Sequence, residues 1–354
     1  MRLKQSMEEF LSNHVNLDRT RLERIRSAHR TMRDKIKALD GVMPYYVSAY
    51  LQGSYALHSV VRPVEDDHEY DVDVVLALDL ADEDGALPDG YTVLRWLYDQ
   101  IDAIPLYKGK VEMRERCLRV QYASDGQRFH LDVLPAHQPV VDDEPIKIPR
   151  DWTESNPRGY KAWLDRVKAE RCGRVRHLVR LLKYWRNLQF PDGLFAPNSM
   201  VLTTLVGRFA PTDDEFISLD EALVLTMQRI KDWLDELPAF ETVVIENPSF
   251  AGENLARSWY WVEVSTFHER FRRATELAQA ALDATEEKVA IDFWNDDMLF
   301  AGHCPKTLRG LGADAKAMSE AMAAGSVFVA SNGRVGDLGV QVRDNRGFFG
   351  DIDQ

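Results

Sequence analysis

The chain has 354 residues, 45% hydrophobic and 29% charged, a balance that excludes disordered, collagen-like and fibrous proteins. Its 44 basic and 57 acidic side chains leave a formal net charge of −13, which excludes a broad surface for long DNA or RNA but allows a local basic pocket. The three cysteines, Cys117, Cys172 and Cys304, are far apart and form no CxxC pair, against both a disulfide scaffold and a zinc ribbon.

In chain order, residues 17–39 place Leu22, Ile25, Ala28, Met32, Ile36 and Leu39 at three- and four-residue steps, which predicts a long amphipathic helix ended by Asp40-Gly41. Residues 45–51 are aromatic and β-branched and predict a strand. Residues 54–60 predict a short helix, 71–80 a partly buried strand, and 91–104 a helix. Runs 111–123 and 128–134, separated by Ser124-Asp125-Gly126-Gln127, predict a hairpin. The proline- and charge-rich stretch after Val140 predicts a crossover loop. Helical spacing then dominates, at 160–170, 175–187, 197–209, 218–237, 262–284 and 291–300. A glycine-rich end begins near Ala324 and predicts a loose tail or a short hairpin. The expected fold class is α+β, with a core over 1–150, a helical lobe over 151–323 and a tail over 324–354. No apolar run approaches the ~20 residues needed to span a bilayer. The opening MRLKQSMEEF has no signal-peptide core, so a cytoplasmic protein with no membrane contact is expected.

Asp71-Val72-Asp73 lies on the predicted strand over 71–80. Side chains alternate along a strand, so both aspartates share one face while Val72 and Val74 point to the core. Two carboxylates side by side repel and favour a hard cation such as magnesium between them. Asp132 projects from a second apolar strand; if the two strands are neighbours, three carboxylates converge and can hold two metal ions. Gly53-Ser54 follows a strand and opens a short helix, an arrangement that cradles phosphate. His130 shares a face with Asp132, and its plainer reading is a structural strand histidine. Trp259-Tyr260-Trp261 reads as core. Arg176, Arg180 and Lys183 form a basic ridge at helical spacing, either a local phosphate site or a solvated face.

The set Gln52-Gly53-Ser54-Tyr55-Ala56-Leu57, Asp71-Val72-Asp73 and Asp132 resembles the nucleotidyltransferase superfamily with the polymerase-β-like fold. Residues 155–160, Leu181-Leu182-Lys183-Tyr184-Trp185 and Asn198-Ser199-Met200-Val201-Leu202 narrow the resemblance to bacterial cyclic-oligonucleotide synthases of anti-phage (CBASS) signalling, relatives of cyclic GMP–AMP synthase. Glu246-Asn247-Pro248 and Asn254-Leu255-Ala256 agree with the helical region of that group.

The resemblance implies a mixed sheet with a helical lobe and a cleft between them. It implies two Mg2+ ions, replaceable by Mn2+, on Asp71, Asp73 and Asp132, donor triphosphate on Gly53 and Ser54, and outer phosphates on Lys183 and Ser199. Ser199 read by itself is a helix cap after Pro197. The sequence departs from the family at His58-Ser59, which leaves no expected hydroxyl contact there. The implied activity is template-free synthesis of a cyclic di- or trinucleotide second messenger from ATP, GTP or a pyrimidine triphosphate. The alternatives are a linear nucleotidyltransferase acting on a tRNA, protein or small molecule, and a catalytically silent nucleotide-binding protein.

Overall fold

The computed structural model describes residues 4–64, 70–124, 127–142, 144–304, 328–329, 335–336 and 340–341. Residues 1–304 form one compact unit and residues 305–354 another.

The first unit opens with helix α1 (Lys4–Phe10), which the sequence reading did not anticipate, and the expected long helix follows as α2 (Arg19–Lys37). Asp18 starts α2 by accepting the Arg21 backbone N–H at 2.8 Å. Strand β1 (Tyr46–Gln52), the one-turn helix α3 (Gly53–Ala56) and strand β2 (Tyr70–Leu78) come next, then helix α4 (Gly90–Asp102). The run at 111–123 breaks into β3 (Val111–Met113) and β4 (Leu118–Ser124), because Arg114-Glu115-Arg116 interrupts its apolar alternation. Strands β5 (Gln127–His137), β6 (Ile146–Ile148) and β7 (Thr153–Ser155) complete a seven-stranded mixed sheet. Its main path is β1-β2-β5-β4-β3, with β6 added to β5 and β7 to β6. Of the pairings along it, β2 with β5 is parallel and the others are antiparallel.

The period of two along β2 decides what each face does. Val72, Leu76 and Leu78 join Leu131 and Val133 of β5 against Ile25, Met32 and Ile36 of α2 and Leu94, Leu97 and Ile101 of α4. Burying one such side chain contributes about 1.5–3 kcal/mol, and truncating Ile36 to alanine would cost about 2–5 kcal/mol. The opposite face packs Val75 and Ala136 on Ile146 and Ile148, leaving Asp71, Asp73 and Asp132 together beyond this smaller cluster.

Helices α5 (Pro157–Glu170), α6 (Val175–Gln189), α7 (Ser199–Phe209), α8 (Leu219–Asp235), α9 (Trp261–Asp283) and α10 (Glu287–Trp294) follow. The last starts four residues earlier and ends six residues earlier than the periodicity predicts; Asn295 caps it, and Leu299 and Phe300 are buried in the loop beyond. Trp185 of α6 packs edge-on to Phe267 and Phe271 of α9, with ring centroids 5.7 and 5.2 Å apart. Of the three aromatics at 259–261, Trp259 is core, whereas Tyr260 is exposed because it precedes the first turn of α9. Phe10 of α1 meets Tyr184 and Phe300 edge-on, so the N-terminus packs with the later helices.

In the second unit, β8 (Phe328–Val329), β9 (Val335–Gly336) and β10 (Val340–Gln341) form an antiparallel sheet in the order β10-β8-β9. The rest of the expected tail lies outside the described residues. Among the described residues, no helix is long and apolar enough to cross a membrane.

Candidate active site

The strand register builds the site. Gln52 of β1 lies opposite Asp73 of β2, Asp73 opposite Asp132 of β5, and Asp132 opposite Arg119 of β4. Two residue pairs along, Asp71 lies opposite His130. Directly opposed residues share a face, so the three predicted aspartates come together with Arg119 and His130.

Arg119 grips Asp132 with two parallel hydrogen bonds, Nε to Oδ1 at 2.9 Å and Nη2 to Oδ2 at 2.8 Å. The same Nη2 lies 3.8 Å from Asp71. His130 contacts the Asp71 carboxylate through Nε2. His130 therefore does more than fill a strand position. Arg119 was not singled out from the sequence, although the hairpin carries the signal: counting outward from Ser124 opposite Gln127 puts Arg119 opposite Asp132.

The electrostatics differ for each acid. Burial pushes Asp73 up to about 7, and the neighbouring Asp132 and Asp71 charges push the same way. Burial also raises Asp71, but the His130 contact and the Arg119 and Lys183 charges outweigh it and hold Asp71 below the usual carboxylate range. Burial, then the charge of Asp132, raises the nearby Cys117 thiol to about 12, so it is no nucleophile at neutral pH.

Gly53 sits against this cluster for a steric reason. Its φ of +64° is in the left-handed region, and a Cβ there would collide with the Asp73 carboxylate. Ser54 continues the turn, its carbonyl accepting the Ser59 N–H at 2.9 Å. Lys183, only 4% exposed, donates from Nζ to the Ser59 carbonyl at 2.9 Å. Burial and then Arg186 push the Lys183 amine down to about 7, against the pull of Asp73 and Asp71. Ser199 is the first residue of α7, and its Oγ accepts from Arg186 Nη1 at 3.1 Å. The cap of α7 is Asn198, which accepts the Val201 N–H at 2.9 Å, so the capping reading of Ser199 is corrected. Ser199 thus meets Arg186 rather than Lys183, and Arg186 is a second residue the sequence reading missed.

Among the described residues, no three His, Cys, Asp or Glu side chains already stand at metal-binding geometry. Asp132 is turned to Arg119 and Asp71 to His130. The donor set nevertheless fits a hard divalent cation: three carboxylates on one face, the middle one holding a proton up to about pH 7 because it is buried and its neighbours repel its charge.

Residues 1–167 match the family of Second Messenger Oligonucleotide or Dinucleotide Synthetase domains. The chain is similar to the bacterial nucleotidyltransferases related to cyclic GMP–AMP synthase. A relative from Acinetobacter sp., a cyclic AMP-AMP-AMP synthase, is 24% identical over 305 residues, covering 83% of this chain and 84% of its own. A cyclic AMP-AMP-GMP synthase of Enterobacter hormaechei is 23% identical, covering 86% of this chain and 92% of its own. In fold the chain resembles Escherichia coli CdnC, solved with ATP, at a TM-score of 0.67 and 18% identity, covering 85% of this chain and 98% of that one. Vibrio cholerae DncV cyclic AMP-GMP synthase, solved with a nonhydrolysable GTP, superposes at a TM-score of 0.68 and 13% identity, covering 87% of this chain and 97% of that one. These likenesses agree with the α+β, polymerase-β-like fold expected from the sequence.

Proposed function

We propose that this chain joins nucleoside triphosphates, without a template, into a cyclic di- or trinucleotide second messenger used in anti-phage signalling. The observation that carries the proposal is the row Asp73–Asp132 with Asp71 beside it, set against a glycine turn that admits no side chain. The relatives named above act as cyclic-oligonucleotide synthases and support the same reading.

In this reading Asp71, Asp73 and Asp132 hold two Mg2+ ions, with Mn2+ a substitute. When bound, the metal supplies Lewis acidity and neutralises charge on the reacting phosphate. Arg119 releases Asp132 as the site loads, and His130 holds Asp71 in place. Gly53 and Ser54 receive the donor triphosphate on backbone N–H groups. Lys183 gains its proton beside the outer phosphates and, with Ser199, orients them. An Asp132 oxygen accepts the proton of the attacking 2′- or 3′-hydroxyl. The division into a catalytic core over 1–150, a helical lobe over 151–323 and a separate tail belongs to the same proposal, as does a cytoplasmic location.

The test is incubation with all four triphosphates and magnesium, mass spectrometry, and phosphatase treatment of the purified product. A ring has no terminal phosphate, so its mass and retention stay unchanged. A product that loses phosphate is linear, and the linear nucleotidyltransferase reading replaces this one. No product from any triphosphate leaves the silent nucleotide-binding reading.

A further inference from the structure

Beyond the acids, the first two turns of α6 concentrate charge of one sign. Arg176 and Arg180 follow the capping Arg174, and the first turn has no acidic residue; between them, burial and then Arg180 and Arg174 push His177 down to about 3, so it adds no charge. Cations there oppose the helix dipole, whose N-terminal end favours anions. Across from them α5 contributes Lys161, and the turn after α3 contributes His58.

Two carboxylates answer this charge. Asp165 takes Lys161 at 2.8 Å and also pairs with Arg176. Glu8 of α1 stands 3.4 Å from Arg174. The compensation is incomplete: the Nε atoms of both Arg176 and Arg180 are buried with no hydrogen-bond partner among the described residues. Arg180 feels burial and the charge of Arg176, with Glu8 opposing. His58 feels burial first, then Arg176 and Lys161, with Asp165 opposing and Arg180 adding to the repulsion. A solvated helix face spreads its cations into water, whereas Arg176 and Arg180, four residues apart on α6, keep their Nε atoms buried.

We propose that Arg176 and Arg180, one turn apart on α6, form a phosphate-binding site distinct from the donor grip at Lys183. The guanidinium fork matches the oxygens of a phosphate, and a dianion between the two arginines removes their mutual repulsion. Lys183 sits about one turn further along α6 and is directed to the Ser59 carbonyl, on the side of the acids. The chemistry is that of a free phosphate or of pyrophosphate, the latter being the leaving group of the proposed synthesis. The site itself does not depend on that synthesis, because binding is read without turnover.

The experiment is thermal melting of the full chain without divalent metal, titrated with inorganic phosphate and, separately, with pyrophosphate. Chloride at matched ionic strength is the control. Phosphate raises the melting temperature of the wild type by mass action, and chloride does not. Arg180→Gln and Arg176→Gln each weaken the phosphate response at least about tenfold, as expected for losing a charge-assisted bond. Arg180→Lys keeps the charge and the fold but loses the fork, and it too weakens the response. Lys183→Ala, which removes the donor grip, keeps a phosphate response that adding Arg180→Gln weakens. A half-maximal response at lower pyrophosphate than phosphate marks the leaving group as the natural source; equal responses mark free phosphate. The proposal is overturned if phosphate acts no differently from chloride, if the arginine variants respond as the wild type does, or if Lys183→Ala alone abolishes the response.

Discussion

Lys183 allows a sharp test, because its amine is both buried and near the acids. With its pKa pushed down to about 7, it carries a proton in about one molecule in ten at pH 8. A triphosphate beside it restores the charged form. Nucleotide binding at pH 8 should therefore take up about 0.9 proton at this residue. Each pH unit above 7 should weaken binding about tenfold, or about 1.4 kcal/mol. The assay is isothermal titration calorimetry of a nonhydrolysable ATP analogue in Tris and in HEPES, whose ionisation enthalpies differ. Proton changes on the ligand and on Asp73 occur in both the wild type and Lys183→Met, so the difference between the two isolates Lys183. The sign on stability follows independently. The folded pKa lies below the ordinary 10.5, so the unfolded chain binds the extra proton across this window. Stability from this residue therefore rises as pH climbs from about 7 to 10.5, and Lys183→Met should remove that rise. Equal proton uptake by the wild type and Lys183→Met would refute both the neutral lysine and its meeting with phosphate.

The three aspartates should all be needed for synthesis yet differ in metal-free stability. Asp73 has a raised pKa of about 7, so its contribution is greatest at low pH and is lost as pH rises through about 7. Asp73→Asn should accordingly raise the melting temperature at pH 8, whereas Asp132→Asn breaks the Arg119 fork and should cost about 1–2 kcal/mol in denaturant titrations. The opposite order would overturn the assigned electrostatics. Gly53→Ala should destabilise by more than about 2 kcal/mol and abolish product, since it adds both a steric collision with Asp73 and strain at positive φ. Wild-type melting and activity would dismiss that collision. Arg119→Met should tighten Mn2+ binding, read by paramagnetic resonance of the free ion, because the cation that competes for Asp132 is gone. Weaker binding would mean that Arg119 orients Asp132 for the metal rather than competing for it.

What the amino-acid sequence determined by itself was local. The alternation Asp71-Val72-Asp73-Val74 decides that both acids share a face, because successive side chains on a strand must point to opposite sides. The spacing of Ile25, Met32 and Ile36 decides that α2 covers a sheet, and the Asp-Gly between two alternating runs decides the β4–β5 hairpin. Even the partnership of Arg119 with Asp132 is legible from that hairpin once its register is counted. The tertiary structure alone decided the rest. Asp132 reaches Asp73 only because β5 pairs parallel to β2, an arrangement no short-range pattern specifies; it follows from where the intervening helix α4 and the β3–β4 strands pack. The basic ridge reads as either a phosphate site or a solvated face, and only the fold shows that Lys183 is buried, because α6 turns it to the Ser59 carbonyl. The last helix ends at Trp294, before the apolar stripe does, because Leu299 and Phe300 are buried from a loop rather than from a continuous helix. Periodicity reports the energy of a residue against its own element, whereas register between distant strands and the depth of a charged group are set by packing across the whole fold.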